Sequence, residues 1–343
     1  PPPIRKQENP VNRTSINRRE SLSLLGGALA LPAAAWAQTG WKPTQNINYV
    51  IGVAAGGSVD LYARGIKSGL ENLKLVNGQT VVADNKPGAA GLLALQQLQR
   101  APGNAHVLGT FHTGSIAGQV TGILKADMRE YVPVAMLVEE TTLVAVRADS
   151  PLKTAKDLVD ALRRDPTSLK IAVAPLRGLN THLAIVKPLQ QAGVDVGKLT
   201  IAPFRSSGES MTALLGGHVD VVSATGPTVV PQVQAGKVRI LASAAPVRGT
   251  GPLAQVPTWR EQGVAADYVS YNGVLLPAGV DAEQIRFWED ALRKVAASPE
   301  WIALVEKSGN KPMFKGYVDS HRYLQSELAS TQQLVGSLGA AAK

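Results

Sequence analysis

From about residue 46 onward, the chain alternates short apolar runs with stretches of helical period almost to its end. The runs are "INYVIGV", "TVVAD", "HVLGTF", "TLVAVRA", "LKIAVA", "LTIAPF", "VDVVSA", "VRILASA" and "YNGVLLP". Each has strand length and is rich in β-branched residues, and each is bounded by small or turn-forming ones. Between them lie amphipathic segments. One begins at Ser58 and places Tyr62, Ile66, Leu70 and Leu73 on one helical face. Another opens on the capping box Thr154-Ala155-Lys156-Asp157 and continues with Leu158, Val159 and Leu162. Such alternation is satisfied by α/β sheets with helices on both faces. Only the tail, residues 281–338, reads as helical without strands. With 343 residues, 45% of them apolar and 18% charged, the chain can build two well-packed domains.

The first 37 residues read as an export signal. "PPPIRKQENPVNRTSINRRE" is polar and basic, and "SLSLLGGALALPAAAWA" is apolar and ends in the small-x-small pattern Ala35-Trp36-Ala37. Arg18-Arg19 ahead of the apolar run is compatible with twin-arginine export, the general secretory route being the alternative. The apolar run is short for a spanning helix, which needs about 20 apolar residues. The expected product is soluble and acts outside the inner membrane.

Composition removes several chemistries. There is no cysteine, which excludes thiolate metal sites, iron–sulfur clusters and cysteine nucleophiles. Of the net charge of +9, three charges belong to residues 1–37, and the remaining basic residues are scattered rather than interleaved with aromatics. Nucleic-acid binding is not expected, whereas a mild positive field favours small anions. Gly52, Gly57 and Ser58 have the outer spacing of a phosphate-binding loop, but Ser58 stands where that loop needs its lysine, and no GxGxxG fingerprint is present. There is no GxSxG elbow, and "HTGS" at 112–115 lacks a triad context. The five histidines have no metal-binding spacing, so neither metal nor cofactor is expected.

What remains is a set of backbone-exposing turns at strand ends: "AAGGS" (54–58), "DNKPGAAG" (84–91), "GTFHTGS" (109–115), "APLRGLNTH" (174–182) and "FRSSGES" (204–210). Ligands of open α/β sheets lie beyond the carboxyl ends of the strands. In the first of these turns, Ala55, Gly56, Gly57 and Ser58 lead directly into a helix. Bare N–H groups and the positive end of the helix dipole make a seat for an anion there. These loops are rich in donors, poor in acids and without a nucleophile and its base, which favours a binder over a catalyst.

The sequence resembles the Bug-type extracytoplasmic solute receptors, the substrate-binding proteins of tripartite tricarboxylate transporters. The likeness rests on "AAGGSVD" (54–60), "DNKPGAAG" (84–91), "EYVPVA" (130–135), "SPLKTAKDL" (150–158), "LLGGHVDVV" (214–222), "QAGKVRILA" (234–242), "VPTWREQG" (256–263) and "NGVLLPAGV" (272–280). These occur in the family's order across the whole mature chain. The resemblance implies a two-lobed periplasmic-binding-protein-like fold of type II, with the ligand in the cleft between lobes. Residues 38–138 plus 261–343 would form the first lobe and 139–260 the second. It also implies a periplasmic receptor for a small carboxylate (a di- or tricarboxylate, an acidic amino acid or a similar organic acid), without catalysis. The receptor would be a monomer serving membrane transporter subunits, or a membrane sensor. An exported α/β hydrolase acting on a small acid is the alternative.

By this resemblance the first glycine loop and a second-lobe loop hold the ligand carboxylate. Asp60 would pair with a ligand amine or serve as a favourable charge in the first helical turn. The second-lobe loop, commonly Ser-Gly-x-Gly-Thr-x-x-His in the family, reads "PLRGLNTH" here. It keeps Gly178 and His182, adds Asn180 and Arg177, and has Leu179 and Pro175 where hydroxyls are usual. The next loop, often Tyr-Lys-Gly-like, is "FRSSGES", offering Arg205 and Ser206. Arg177 or Arg205 would then bind a second acidic group of the ligand, or else face solvent.

Overall fold

The computed structural model of the protein describes Pro3 and residues 40–339; the export signal expected over 1–37 lies outside the described residues, apart from Pro3. The first half of the chain runs β1 (Ile47–Ile51), α1 (Ser58–Asn72), β2 (Val81–Asn85), α2 (Leu92–Gln99), β3 (Val107–His112), α3 (Thr113–Thr121), β4 (Val132–Arg147), α4 (Ala155–Arg164), β5 (Lys170–Val173) and α5 (Asn180–Gln191). It continues with β6 (Thr200–Pro203), α6 (Ser207–Leu215), β7 (Val221–Thr225), α7 (Gly226–Gln234), β8 (Val238–Ser243), β9 (Val269–Leu276), α8 (Ala282–Ala296), α9 (Pro299–Lys307), β10 (Lys311–Lys315) and α10 (Tyr317–Leu338). The strands hydrogen-bond in the order β2-β1-β3-β9-β4-β7-β5-β6, with β8 and β10 added against β4. Pairing is parallel within β2-β1-β3 and within β7-β5-β6, and antiparallel wherever β4 or β9 takes part.

The long strand β4 joins the two halves. Its residues Val132–Thr141 pair with β9, and Thr142–Arg147 pair with β7 and β8. The sequence had offered only 142–148 as a strand. The preceding ten residues contain Pro133 and the Glu139-Glu140 pair, which broke the apolar pattern although their backbone fits the ladder. The tail also differs from expectation: β10 interrupts the helices by pairing antiparallel with β4. Its "KPMFK" is too polar to stand out, because an edge position asks little burial of it.

Helix α1 buries Tyr62, Ile66 and Leu70 as its period predicts, but Leu73 is the C-cap residue and is exposed. These side chains join Trp288, Leu292 and Val295 of α8 and Ile47, Tyr49 and Ile51 of β1 in one core. The Trp288 indole N–H donates to the Ala105 carbonyl at 2.8 Å, so this buried indole has its polar atom satisfied. A second core gathers Leu158 and Leu162 of α4, Leu183 and Leu189 of α5, Ile171 and Val173 of β5, and Val144 and Val146 of β4. Trp259 and Tyr268 are buried in this second core, as is Leu338 at the end of α10. The capping box that opens α4 is formed as read: Thr154 accepts from the Asp157 N–H, and Asp157 accepts from the Thr154 N–H.

Candidate ligand-binding site

A cavity of about 100 Å³ lies among the carboxyl ends of the strands, with walls from both halves of the sheet. Five helices begin at its wall. They contribute Gly57, Ser58 and Val59 (α1), His112 and Thr113 (α3), Leu179, Asn180 and Thr181 (α5), Ser206 and Ser207 (α6), and Thr225 (α7). Each helix start carries the equivalent of roughly half a positive charge on its leading N–H groups. Four of the five have no side-chain cap: Gly57, His112, Leu179 and Thr225 make none. Among the described residues the N–H groups of Gly57, Ser58 and Val59 find no partner. An anion placed here would meet donors from several directions without needing a buried cationic side chain.

The structure brings together Gly57, Ser58, Asn180, Arg205 and Ser206 from the residues singled out in the sequence. The other six do not line the cavity. Ala55 and Gly56 are exposed on the turn before α1, where Gly56 adopts φ +91°, a conformation that favours glycine. The Asp60 carboxylate is engaged by its own neighbours. It accepts the Gly56 N–H at 3.0 Å, the Arg64 Nε at 3.0 Å and the Asn85 side-chain amide at 2.9 Å. Burial pushes its carboxyl up, but these donors outweigh burial and hold it below the usual range. Asp60 thus ties down the glycine turn.

His182 is likewise engaged by its own loop. It is fully buried, and its Nδ1 accepts the Gly178 N–H at 2.9 Å, which fixes the loop before α5. Burial and the nearby Arg177 charge depress its pKa to about 4, so it is neutral at physiological pH. Gly178 is buried, and Arg177 does not line the cavity. Arg205 is exposed at the cavity mouth and belongs to no ion pair among the described residues. The Ser206 hydroxyl accepts the Glu209 N–H at 3.2 Å and so caps α6.

Several lining residues were not predicted. Glu140, Ser270 and Asn272 stand at the point where β4 and β9 pair, with Glu140 opposite Ser270 and Val138 opposite Asn272. All three are at most 3% exposed. Asn272 donates to Glu140 Oε2 at 3.1 Å, while Glu140 Oε1, Asn272 Oδ1 and Ser270 Oγ are buried without partners. Burial raises the Glu140 carboxyl to about 7, and the donors on Asn272 and Ser58 only partly offset it. The available sequence signal was the Glu139-Glu140 pair between two apolar runs, 134–138 and 143–146. His112 and Thr113 lie in the "GTFHTGS" turn. His112 is held near pKa 4 by burial, and its Nε2 lies 3.1 Å from Ser115 Oγ.

A sheet split about two crossing segments, with a cavity between the halves ringed by helix starts, defines a two-lobed solute-binding protein. The chain belongs to the tripartite tricarboxylate transporter receptor family, whose pattern matches residues 63–340. Members of this family are solute-binding proteins rather than enzymes. It is similar to the UPF0065 protein in the gbd 5' region of Cupriavidus necator, 30% identical over 317 residues, spanning 92% of this chain and 93% of that protein. Two solved structures share the fold. MatC from Rhodopseudomonas palustris with bound malate has a TM-score of 0.75 at 24% identity, over 85% of this chain and 99% of that one. A second R. palustris protein, with adipate, has a TM-score of 0.78 at 24% identity, over 87% and 98%. The family read from the sequence motifs is therefore the family found, and so are its α/β class and two-lobed architecture.

Proposed function

We propose that the protein is a periplasmic receptor that captures a small carboxylate and passes it to the membrane subunits of a tripartite tricarboxylate-type transporter. The observation that carries this reading is the ring of five helix starts, four without a side-chain cap, around one cavity. The ligand carboxylate accepts from the N–H groups at Gly57 and Ser58, with Asn180, Ser206 and Arg205 contributing from the facing side. Malate and adipate in two structural relatives support a ligand of this class. In this reading the monomer hinges where β4 crosses between the halves and where the chain re-enters at β9. The leader over 1–37 directs export, and among the described residues no helix is long and apolar enough to cross a membrane. The test is a thermal-shift and calorimetry panel of small mono-, di- and tricarboxylates against the mature protein. A true ligand at a hundredfold excess over its Kd stabilises the fold by about 2.7 kcal/mol. A panel in which no acid raises the melting temperature overturns the reading.

A further inference from the structure

The wall of helix starts accounts for a carboxylate but not for the opposite chemistry on the cavity floor. There Glu140, Asn272 and Ser270 line the same cavity, and their Oε1, Oδ1 and Oγ atoms are buried without a hydrogen-bond partner. The Asn272 oxygen can only accept, the Ser270 hydroxyl can accept or donate, and the Glu140 oxygen only accepts once the acid is ionised. Buried polar atoms are almost always paired, and leaving three together unpaired is costly. We propose that this floor is a subsite for a ligand ammonium group, so that the preferred solute is an amino carboxylate, with Glu140 the residue that selects it. This rests on the carboxylate reading above and names the other end of the same ligand.

An ammonium group fits in two ways. It has three N–H donors for the three unpartnered oxygens, and its charge compensates a carboxylate sealed away from water. A hydroxyl offers one donor and no charge. A second carboxylate would meet an acid and two acceptor oxygens. The cavity thus carries donors, at the helix starts and Arg205, and acceptor oxygens on Glu140, Asn272 and Ser270. The titratable groups near Glu140 are His112 at the start of α3, Tyr62 on α1 and Arg205 ahead of α6. His112 is neutral and Tyr62 is held protonated by burial, so neither supplies the missing positive charge. Arg205 is exposed at the mouth. In the empty cavity burial favours the protonated acid at Glu140. Pairing with an ammonium group favours the carboxylate, and the proton leaves to solvent.

The experiment is calorimetry at pH 7, in two buffers of different ionisation enthalpy, on wild type and Glu140→Gln. The probes are matched pairs: glycine with acetate, β-alanine with propionate, 4-aminobutyrate with butyrate, aspartate with succinate, and glutamate with glutarate. The expected result is that the tightest probe is an amino acid bound at least tenfold better than its des-amino partner. Its binding releases protons in wild type. Glu140→Gln keeps the shape but removes the charge, and should abolish both the preference and the proton release. If a des-amino acid is the tightest probe, or if Glu140→Gln keeps the preference, the ammonium subsite is wrong and the carboxylate reading stands. If no probe binds, both fall. Should the variant fail to fold, the wild-type ranking and proton count still decide.

Discussion

Helices that begin at the cavity and helices that begin elsewhere are finished differently. Away from the cavity, α4 and α8 open on full capping boxes at Thr154 and Asp281, and α9 opens on a Ser298 cap. At the cavity, α1, α3, α5 and α7 open on Gly57, His112, Leu179 and Thr225 with no side-chain cap. A missing cap forgoes about 1 kcal/mol per helix. The division is not absolute: Ser206 caps α6 at the cavity, and Gly91 and Gly316 leave α2 and α10 uncapped elsewhere. Four uncapped starts sharing one cavity still point one way. There the leading N–H groups lack the side-chain partner that capping would supply. The same region holds the buried ionisable groups His112 and Glu140, while the boxed caps lie on exposed helix ends.

The largest expected effect follows from those buried groups. His112 and His182 have folded pKa values near 4, below the ordinary 6.5. The stability they contribute is present above pH 6.5 and is lost as pH falls through 4, up to about 3 kcal/mol each. Glu140 has the opposite sign. Its folded value near 7 lies above 4.5, so its contribution is full below pH 4.5 and is lost as pH rises through 7. Denaturant unfolding from pH 4.5 to 8 should therefore show Glu140→Gln gaining about 3 kcal/mol on wild type across that range. A constant difference would mean that Glu140 is not buried as an acid.

The next effect tests the uncapped start of α1 directly. A Cβ at Gly57 meets nothing within 4 Å, and its φ of −89° suits any residue, so Gly57→Asp folds without backbone strain. Aspartate there is a good N-cap and satisfies the very N–H groups left free for the ligand. Expected outcomes have opposite signs: about 1 kcal/mol more stability for the empty protein, and at least a hundredfold weaker carboxylate binding through two lost charge-assisted hydrogen bonds. Melting temperature and calorimetry on one sample read both. Unchanged affinity would move the anion to another helix start. Arg205→Ala should do less, about fivefold on a ligand with a distal acid, because an exposed guanidinium is screened.

Much of this was legible in the sequence, and what was not has physical causes. Period and turn chemistry located every strand of the main ladder at least in part, since buried strands advertise themselves by composition. The first half of β4 escaped because Pro133 and two acids interrupt its apolar run, Glu140 lining the cavity and Glu139 lying near Lys311, and β10 because an edge strand needs little apolar character. Turns gave away the loops that ring the cavity, but not which side chains face inward. Asp60, His182 and Gly178 stand out because they are polar or small and sit in such loops; in the structure Asp60 accepts from Gly56 and His182 from Gly178 within those loops, and none of the three lines the cavity. Glu140 and Asn272 come together only through the β4–β9 register, 132 residues apart in sequence. No local pattern reports that meeting.

The smallest expected effect separates a structural hydroxyl from a functional one. Thr225 occupies the N-cap position of α7, is 4% exposed and lines the cavity, yet its side chain does not cap the helix. Thr225→Val keeps the shape and removes only the hydroxyl. If no cap is lost, unfolding free energy should change by less than about 0.5 kcal/mol, within the range of a substitution that breaks no special feature. Asp281→Ala removes both of its bonds to the Glu283 and Gln284 N–H groups, each 2.9 Å or shorter, and should cost about 1 kcal/mol. Ligand affinity should order the pair the other way. Asp281→Ala leaves it untouched, whereas Thr225→Val weakens it several-fold, the value of about one neutral hydrogen bond. If Thr225→Val costs as much stability as Asp281→Ala and leaves affinity unchanged, the hydroxyl serves the fold, and α7 leaves the set of helix starts kept open for a ligand.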